Sequence, residues 1–214
     1  MTPTWPVVAL VGAVAVSPLS AAWTAALADG QRVGWWRPRA VSAGRWATVT
    51  AVTVSLVGLA AAGSPPVAWW LLAVGGGALA VVDAQTQLLP ARLTYPLAGV
   101  IAAALVAAAV AGSGAGPLLR AGLAALTVGG LWLAVCFLAP RATGLGDVRL
   151  AALTSGVLGW GSWADVWQGQ VLTLLLAALT AVVLSLTRRG GWRRRVTVPM
   201  GPAMVAGSVL ALWL

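Results

Sequence analysis

Uncharged apolar runs, most of them long enough to cross a membrane, follow one another along almost the whole chain. A bilayer-crossing helix needs about 20 mostly apolar residues. Of the 214 residues, 60% are hydrophobic and 8% are charged, a balance that no soluble domain of this size shows. We therefore predict an all-α integral membrane protein, with residues 1–214 forming a single domain of about eight transmembrane helices. The predicted spans are 5–28, 46–62, 66–82, 94–112, 117–139, 148–162, 167–187 and 196–214.

The sixth predicted span, 148–162, is short. At 1.5 Å per residue it covers only about 22 Å, which leaves open whether it reaches both faces of the bilayer. A short span is acceptable if one of its ends lies in a wet cavity lined by protein.

Arginine accounts for the net charge of +9, since all thirteen basic residues are Arg and the chain has no His. The charges lie in short loops between apolar runs, which favours orientation in a membrane over binding of nucleic acid. Eight spans place only Arg120 on one face, and this asymmetry predicts that the other face is cytoplasmic and that both termini lie outside. The twelve residues predicted to be cytoplasmic are Arg32, Arg37, Arg39, Arg45, Arg92, Arg141, Arg149, Arg188, Arg189, Arg193, Arg194 and Arg195.

Tryptophan and glycine positions agree with a helical membrane bundle. Most of the thirteen Trp, among them Trp69, Trp70, Trp160 and Trp163, fall near predicted span ends, which is typical of an interfacial aromatic belt. The run Gly75-Gly76-Gly77 and the many Ala residues predict close helix packing.

Acidic residues are rare, and two of them stand out. The chain has four, all Asp; Asp83 ends the third span and Asp147 begins the sixth, which places both at the cytoplasmic side at similar depth. Two carboxyls brought together cannot both ionise easily, so one holds a proton while the other acts as a base. Either aspartate alone is also compatible with a helix cap or a solvated loop residue. Asp29 and Asp165 are interpreted as loop residues.

Other catalytic chemistries lack their residues. Cys136 is the single cysteine and there is no His, which excludes an internal disulfide, a Cys-based metal cluster and a Ser/His or Cys/His nucleophile pair. We expect neither a metal nor a cofactor.

Three sequence stretches surround this candidate pair. Asp83 is followed by LPARLT at residues 89–94, Asp147 stands in GLGDVRL at residues 144–150, and VPMGPAMVAGSV occupies residues 198–209. Together they resemble the motifs of the type IV prepilin peptidase family, membrane aspartic peptidases of the G-x-G-D class. The resemblance covers about residues 66–214 in matching order.

The resemblance implies a function. Asp83 and Asp147 would be the catalytic residues, while Gly144, Gly146 and Pro90 would shape the backbone around them. The substrate would be a type IV prepilin or pilin-like precursor, whose short basic leader is cut at the cytoplasmic face of a bacterial inner membrane. Arg92 and Arg149 would hold the aspartates' loops, or face lipid phosphates or plain solvent.

Some family features are absent. Long members carry an N-terminal cytoplasmic domain with paired Cys-x-x-Cys that is linked to N-methylation of the cleaved pilin. The loop 29–45 has no Cys, so the chain resembles a short form and the methyltransferase activity is not carried over.

Three alternatives stay open from the sequence. A presenilin-like or signal-peptide-peptidase-like protease also uses Asp in G-x-G-D. A proton-coupled transporter would use Asp83 and Asp147 as relay groups, although transporter sites usually lie at mid-membrane depth. The chain could also be a non-catalytic assembly subunit of a secretion or pilus machine, for which a degenerate site would be expected.

Overall fold

The computed structural model describes residues 49–53, 66–87, 89–140, 143–187 and 198–214, and this part of the chain consists of helices joined by short connections. Residues 49–53 are helical and pack on the second helix through Val49 and Val81. The elements that follow are α1 (Pro66–Leu71), α2 (Gly77–Thr86), α3 (Ala91–Ala108), α4 (Ala115–Leu138), α5 (Leu145–Gly161), α6 (Trp163–Thr187) and α7 (Met200–Leu210).

Two π-helical turns and a short 3-10 turn complete the backbone. The turn Leu72–Gly76 joins α1 to α2 without a break, and Ala109–Ser113 extends α3 towards α4. Ala211–Trp213 is the 3-10 turn after α7. Helices dominate because a backbone in lipid has to satisfy its own hydrogen bonds.

Four of these helical stretches are long and apolar enough to cross a membrane: Val67–Thr86, Ala91–Ser113, Ala115–Leu138 and Trp163–Leu186. They correspond to the predicted spans 66–82, 94–112, 117–139 and 167–187, and Met200–Trp213 is a shorter apolar helix. The chain is therefore a multi-pass membrane protein. Span 5–28, most of span 46–62, Asp29, Arg141 and the Arg residues of 188–195 lie outside the described residues, so the number of spans and the side of each terminus stay predictions.

The short helix α5 lies at the centre of the described bundle. It packs most extensively on α4 and also contacts α3, α6 and α7. Its side chains are buried from Leu150 to Trp160, apart from the half-buried Ala152. Seventeen residues span about 26 Å, close to the hydrocarbon thickness.

Glycines set the spacing between the helices. A Cβ on Gly159 would lie 2.5 Å from Cβ of Ala124, and one on Gly129 would lie 2.9 Å from Cβ of Ala152, so α4 and α5 cross at close range. In the run Gly75-Gly76-Gly77, Gly76 faces Val205 of α7. The expectation of close packing through small residues is confirmed here.

Hydrogen bonds inside the bundle join three helices. Trp132 of α4 donates through Nε1 to Oε1 of Gln170 on α6 at 3.0 Å, and Gln170 Nε2 donates to Oγ of Ser155 on α5 at 3.2 Å. Such contacts add to packing where the solvent is apolar.

The tryptophan prediction was wrong in part. Trp69 and Trp160 are only 2% and 6% exposed and belong to the core of the bundle, whereas Trp163 and Trp167 are 38% and 51% exposed. Position near a span end does not distinguish the two groups, because the depth of a residue does not specify which face of the helix it occupies.

Candidate active site

Asp83 is inside α2, three residues before its end at Thr86, and is 4% exposed. Gln87 is the C-cap that follows the last helical residue. Its backbone is left-handed (φ 54°), and its N–H donates to the Asp83 carbonyl oxygen at 2.8 Å. Asp83 is thus a buried helical residue and not a loop residue, the alternative that the sequence had left open.

The Asp83 carboxylate is held by a distant part of the chain. The backbone N–H of Gly201, the second residue of α7, donates to Asp83 Oδ2 at 2.7 Å. The first N–H groups of a helix have no intrahelical acceptor, and the helix dipole favours negative charge there. Asp83 therefore acts as an N-terminal cap of α7 supplied from another helix.

A side chain at position 201 would collide with Asp83. A Cβ built there would lie 2.9 Å from Oδ2 and 3.0 Å from Cβ of Asp83. Pro199 precedes α7 and Pro202 stands in its first turn, where proline is tolerated because the missing N–H has no helical acceptor. Sequence reasoning noted the segment 198–209 but missed Gly201 as a site residue; the glycine between two prolines at a helix start was the available signal.

Asp147 lies in the first turn of α5 and is partly exposed. Its Oδ2 accepts the backbone N–H of Gly144 at 3.0 Å, and Gly144 is the residue that caps the helix. An acid at the third helical position that bonds back to the capping residue is half of a capping box. Asp147 is thus not the N-cap itself, the alternative considered from the sequence, but the residue that supports the cap.

The glycines of the Gly-x-Gly-Asp segment serve different purposes. Neither Gly144 nor Gly146 has a positive φ. Gly146 is required by close approach, because a Cβ there would lie 2.6 Å from Cβ of Leu89 and 3.3 Å from its carbonyl oxygen. At Gly144 a Cβ would meet nothing closer than 3.8 Å.

The contact of Gly146 with Leu89 joins the two aspartate-bearing segments. Leu89 lies in the short connection after α2, and Pro90 is the N-cap of α3, with its carbonyl oxygen accepting a hydrogen bond from Oγ1 of Thr94 at 3.1 Å. Asp147 is close enough for its negative charge to act on Asp83. The structure thus brings together Asp83, Leu89, Gly146, Asp147 and Gly201.

Electrostatics and hydrogen bonding suit a pair of carboxyl groups. The N-terminal ends of α5 and α7 both point towards the pair and supply partial positive charge. Each carboxyl has one hydrogen bond from a glycine N–H at Oδ2, and these are the contacts found for the pair within the described residues. Oδ1 of each side chain is therefore available for water or a substrate group.

Asp165, the other described acid, lies apart from the pair. It is in the first turn of α6, where its backbone N–H donates to Oγ of Ser162 at 3.0 Å. Asp165 is therefore a helical residue, so its interpretation as a loop residue was wrong; it follows the end of α5 opposite to Asp147.

Comparison with known proteins identifies the family. The profile of the type IV leader peptidase family matches residues 67–186, more than half of the chain. The chain belongs to the type IV leader peptidase family. This confirms the resemblance inferred from the motifs, and the matched range contains Asp83 and Asp147 but ends before α7. No curated protein and no solved structure matches the chain.

Membership of this family makes the protein a peptidase that acts on protein substrates. Both helices that carry the candidate aspartates, and the Leu89–Gly146 contact between them, lie inside the matched range.

Proposed function

We propose that this leader peptidase is an aspartic endopeptidase in which Asp83 and Asp147 form the catalytic pair. The observation that carries the proposal is the meeting of two carboxyls from separate helices, each oriented by a glycine N–H and close enough to interact. Two such groups share one proton, which gives one acid and one base at the same site.

The reaction follows from this arrangement. The ionised carboxylate removes a proton from a water held between the pair, and the water oxygen attacks the carbonyl carbon of the scissile peptide bond. The protonated carboxyl donates its proton to the carbonyl oxygen, which gives a tetrahedral gem-diol. Collapse of this intermediate breaks the C–N bond as a proton passes to the leaving nitrogen. The products are a carboxylic acid and an amine.

The proposed substrate is a type IV prepilin or pilin-like precursor with a short basic leader. Family membership supports a precursor protein as substrate, and the Arg asymmetry supports cleavage at the cytoplasmic face of a bacterial inner membrane. With such a substrate, the proposed role of the protein is in pilus assembly or protein secretion.

Asparagine substitutions test the pair. Asp83→Asn and Asp147→Asn should each lower cleavage of a prepilin-like peptide by about 10⁴-fold, because an amide keeps the shape but cannot exchange the proton. The double variant should be hardly slower than either single one, since the two groups act as a unit. Turnover by purified protein in detergent measures this.

Two controls accompany this experiment. Asp165→Asn, which changes an acid outside the site, should cleave normally, and chelators should leave the rate unchanged. Robust cleavage by either single variant of the pair, or loss of activity with a chelator, would remove the aspartic mechanism.

The side of cleavage has its own test. Cysteines introduced at Arg37 and Arg193 should react with a membrane-impermeant thiol reagent only from the cytoplasmic side, and one at Ser64 only from outside. Labelling of position 37 from outside would overturn the eight-span topology.

A further inference from the structure

An open apolar groove lies between α3 and α4, away from the aspartate pair. Both helices pack on α5, which forms the floor of the groove, and the space between them measures about 400 Å³. Residues of all three helices line it, including Ala98, Ala102, Leu118, Gly122, Ala152 and Gly156.

Small side chains make this groove deep. A Cβ on Gly122 would have no heavy atom within 4 Å apart from its own helix and neighbours, so nothing in the described chain fills the space above it. Val106, which lines the groove, is 47% exposed, as expected of a surface that faces lipid. The groove is therefore an apolar surface that opens towards the membrane.

One end of the groove carries a positive charge. Arg149 lines it, with its guanidinium 5.1 Å from the ring centroid of Tyr95, and it is the one charged residue among the lining residues. Within the described residues no carboxylate forms an ion pair with Arg149. Arg149 belongs to the face that holds twelve of the thirteen Arg residues in the eight-span topology, which is the cytoplasmic one.

We propose that this groove binds an anionic phospholipid of the cytoplasmic leaflet. The lipid phosphate pairs with Arg149, and an acyl chain lies along the apolar groove. The cytoplasmic leaflet supplies anionic lipids, and basic pockets between membrane helices on that side bind their headgroups. Arg suits a phosphate because its planar fork donates two parallel hydrogen bonds.

The lining of the groove matches an acyl chain with a phosphate at one end. It is apolar apart from Thr94, Tyr95 and Arg149, which lie together near the starts of α3 and α5. Because the groove is open to the membrane, an acyl chain enters it without moving either helix.

The lipid site is separate from the aspartate pair. Arg149 follows Asp147 by two residues on α5, which turns the two side chains about 200° apart around the helix axis. Asp147 is on the side of Asp83 in α2, whereas Arg149 lies over Tyr95 of α3.

Native mass spectrometry of the full-length protein tests whether the charge of Arg149 selects an anionic lipid. The protein is mixed with equal amounts of phosphatidylglycerol and phosphatidylcholine that carry the same acyl chains. Phosphatidylglycerol should be retained about fivefold more than phosphatidylcholine, the factor expected of one cation near an anionic lipid. Arg149→Gln should abolish the preference. Arg92→Gln, which removes an exposed charge that does not line the groove, should keep it.

A second pair of variants tests the groove itself. Gly122→Leu fills it and should lower retention of phosphatidylglycerol to the level of phosphatidylcholine. Gly130→Leu is the matched control, since its Cβ also meets open space on α4 but lies outside the groove, and it should retain lipid normally.

A photo-crosslinking amino acid at position 122 identifies the occupant in membranes. A lipid-sized mass increase supports the proposal, and a polypeptide adduct contradicts it. Equal retention of the two lipids by the unmodified protein, or an unchanged preference in Arg149→Gln, would also overturn it.

Discussion

Asp83 and Asp147 carry the same chemical group and are held in opposite ways. Asp147 is oriented by Gly144, three residues earlier in the same helix, over 3.0 Å. Asp83 is oriented by Gly201, which is 118 residues later in the chain, over 2.7 Å. A short peptide could reproduce the first bond, whereas the second exists only when α7 has docked against α2.

This difference predicts which structural changes will displace each aspartate. The conformation of Asp147 depends on the capping geometry of one helix, which forms with the helix itself. The position of Asp83 depends on packing between helices, so it responds to any change that separates α2 from α7. The contact between Gly146 and Leu89 then sets how closely the two segments approach.

Apart from the aspartates themselves, the largest effect is expected where the two segments approach each other. Gly146→Val places side-chain atoms where Cβ of Leu89 already lies, 2.6 Å from the first added carbon. Overpacking of this kind costs about 1–3 kcal/mol, and a displacement of 1 Å at a reacting group costs about 10²-fold in rate. We expect cleavage to fall by at least about 10²-fold while the protein still inserts, as measured by turnover per folded molecule.

A compensating change sharpens this prediction. The Gly146→Ala variant should cleave more slowly than the unmodified protein. Adding Leu89→Gly to that variant should partly restore its cleavage rate, because the change removes the colliding Cβ. Near-normal turnover in Gly146→Val would show that the two segments do not need this contact.

A large effect is also expected where Asp83 is held. Gly201→Ala brings a methyl group within 2.9–3.2 Å of Asp83 side-chain atoms and pushes the carboxylate away from the N–H. We predict a loss of about 10²-fold in kcat with a small change in KM, because a catalytic group moves while substrate contacts elsewhere remain. Gly99→Ala is the matched control, since its Cβ meets nothing within 4 Å. A rate for Gly201→Ala equal to that of the control would mean that Asp83 does not need α7.

A moderate effect, on stability alone, is expected at the far end of α5. Arg120 donates from Nε to the carbonyl oxygen of Gly159 at 2.8 Å and from Nη2 to those of Trp160 and Gly161 at 2.5 and 2.6 Å. Arg120→Gln should destabilise the protein by about 2 kcal/mol, since hydrogen bonds to a charged donor are lost. Thermal unfolding in detergent measures the loss.

The same variant tests whether the position of Asp147 depends only on the capping geometry at the start of α5. Activity per folded molecule at low temperature should match that of the unmodified protein. A selective loss of turnover in Arg120→Gln would show that both ends of α5 position the aspartate.

The smallest effect is expected at Gly144. Its N–H is the group that Asp147 requires, and every residue except proline supplies an N–H. A Cβ there would lie 3.8 Å from Asp147 Oδ2, an ordinary contact. Gly144→Ala should therefore retain turnover within about twofold in the peptide assay, in contrast to Gly201→Ala. A loss as large as that of Gly201→Ala would erase the distinction between the two aspartates.

Local sequence features determined the membrane class, the approximate helix bounds and the two candidate aspartates. The predicted span 117–139 corresponds to α4 (Ala115–Leu138) and 148–162 to α5 (Leu145–Gly161). Hydropathy succeeds here because a spanning helix satisfies its own backbone and needs an apolar surface whatever it packs against. Two acids in so apolar a chain are conspicuous for the same reason, since a charge in that setting is costly.

Only the tertiary structure decided which apolar faces meet protein and which meet lipid. Helix α5 is central and buried while α6 is largely exposed, and composition does not distinguish them, because lipid tails are as apolar as a protein core. The same reason explains why Trp160 is buried and Trp163 is not. The hydrogen bond from Gly201 to Asp83 and the close contact of Gly146 with Leu89 could not be predicted from the sequence either. Both join segments that meet only when the helices pack together.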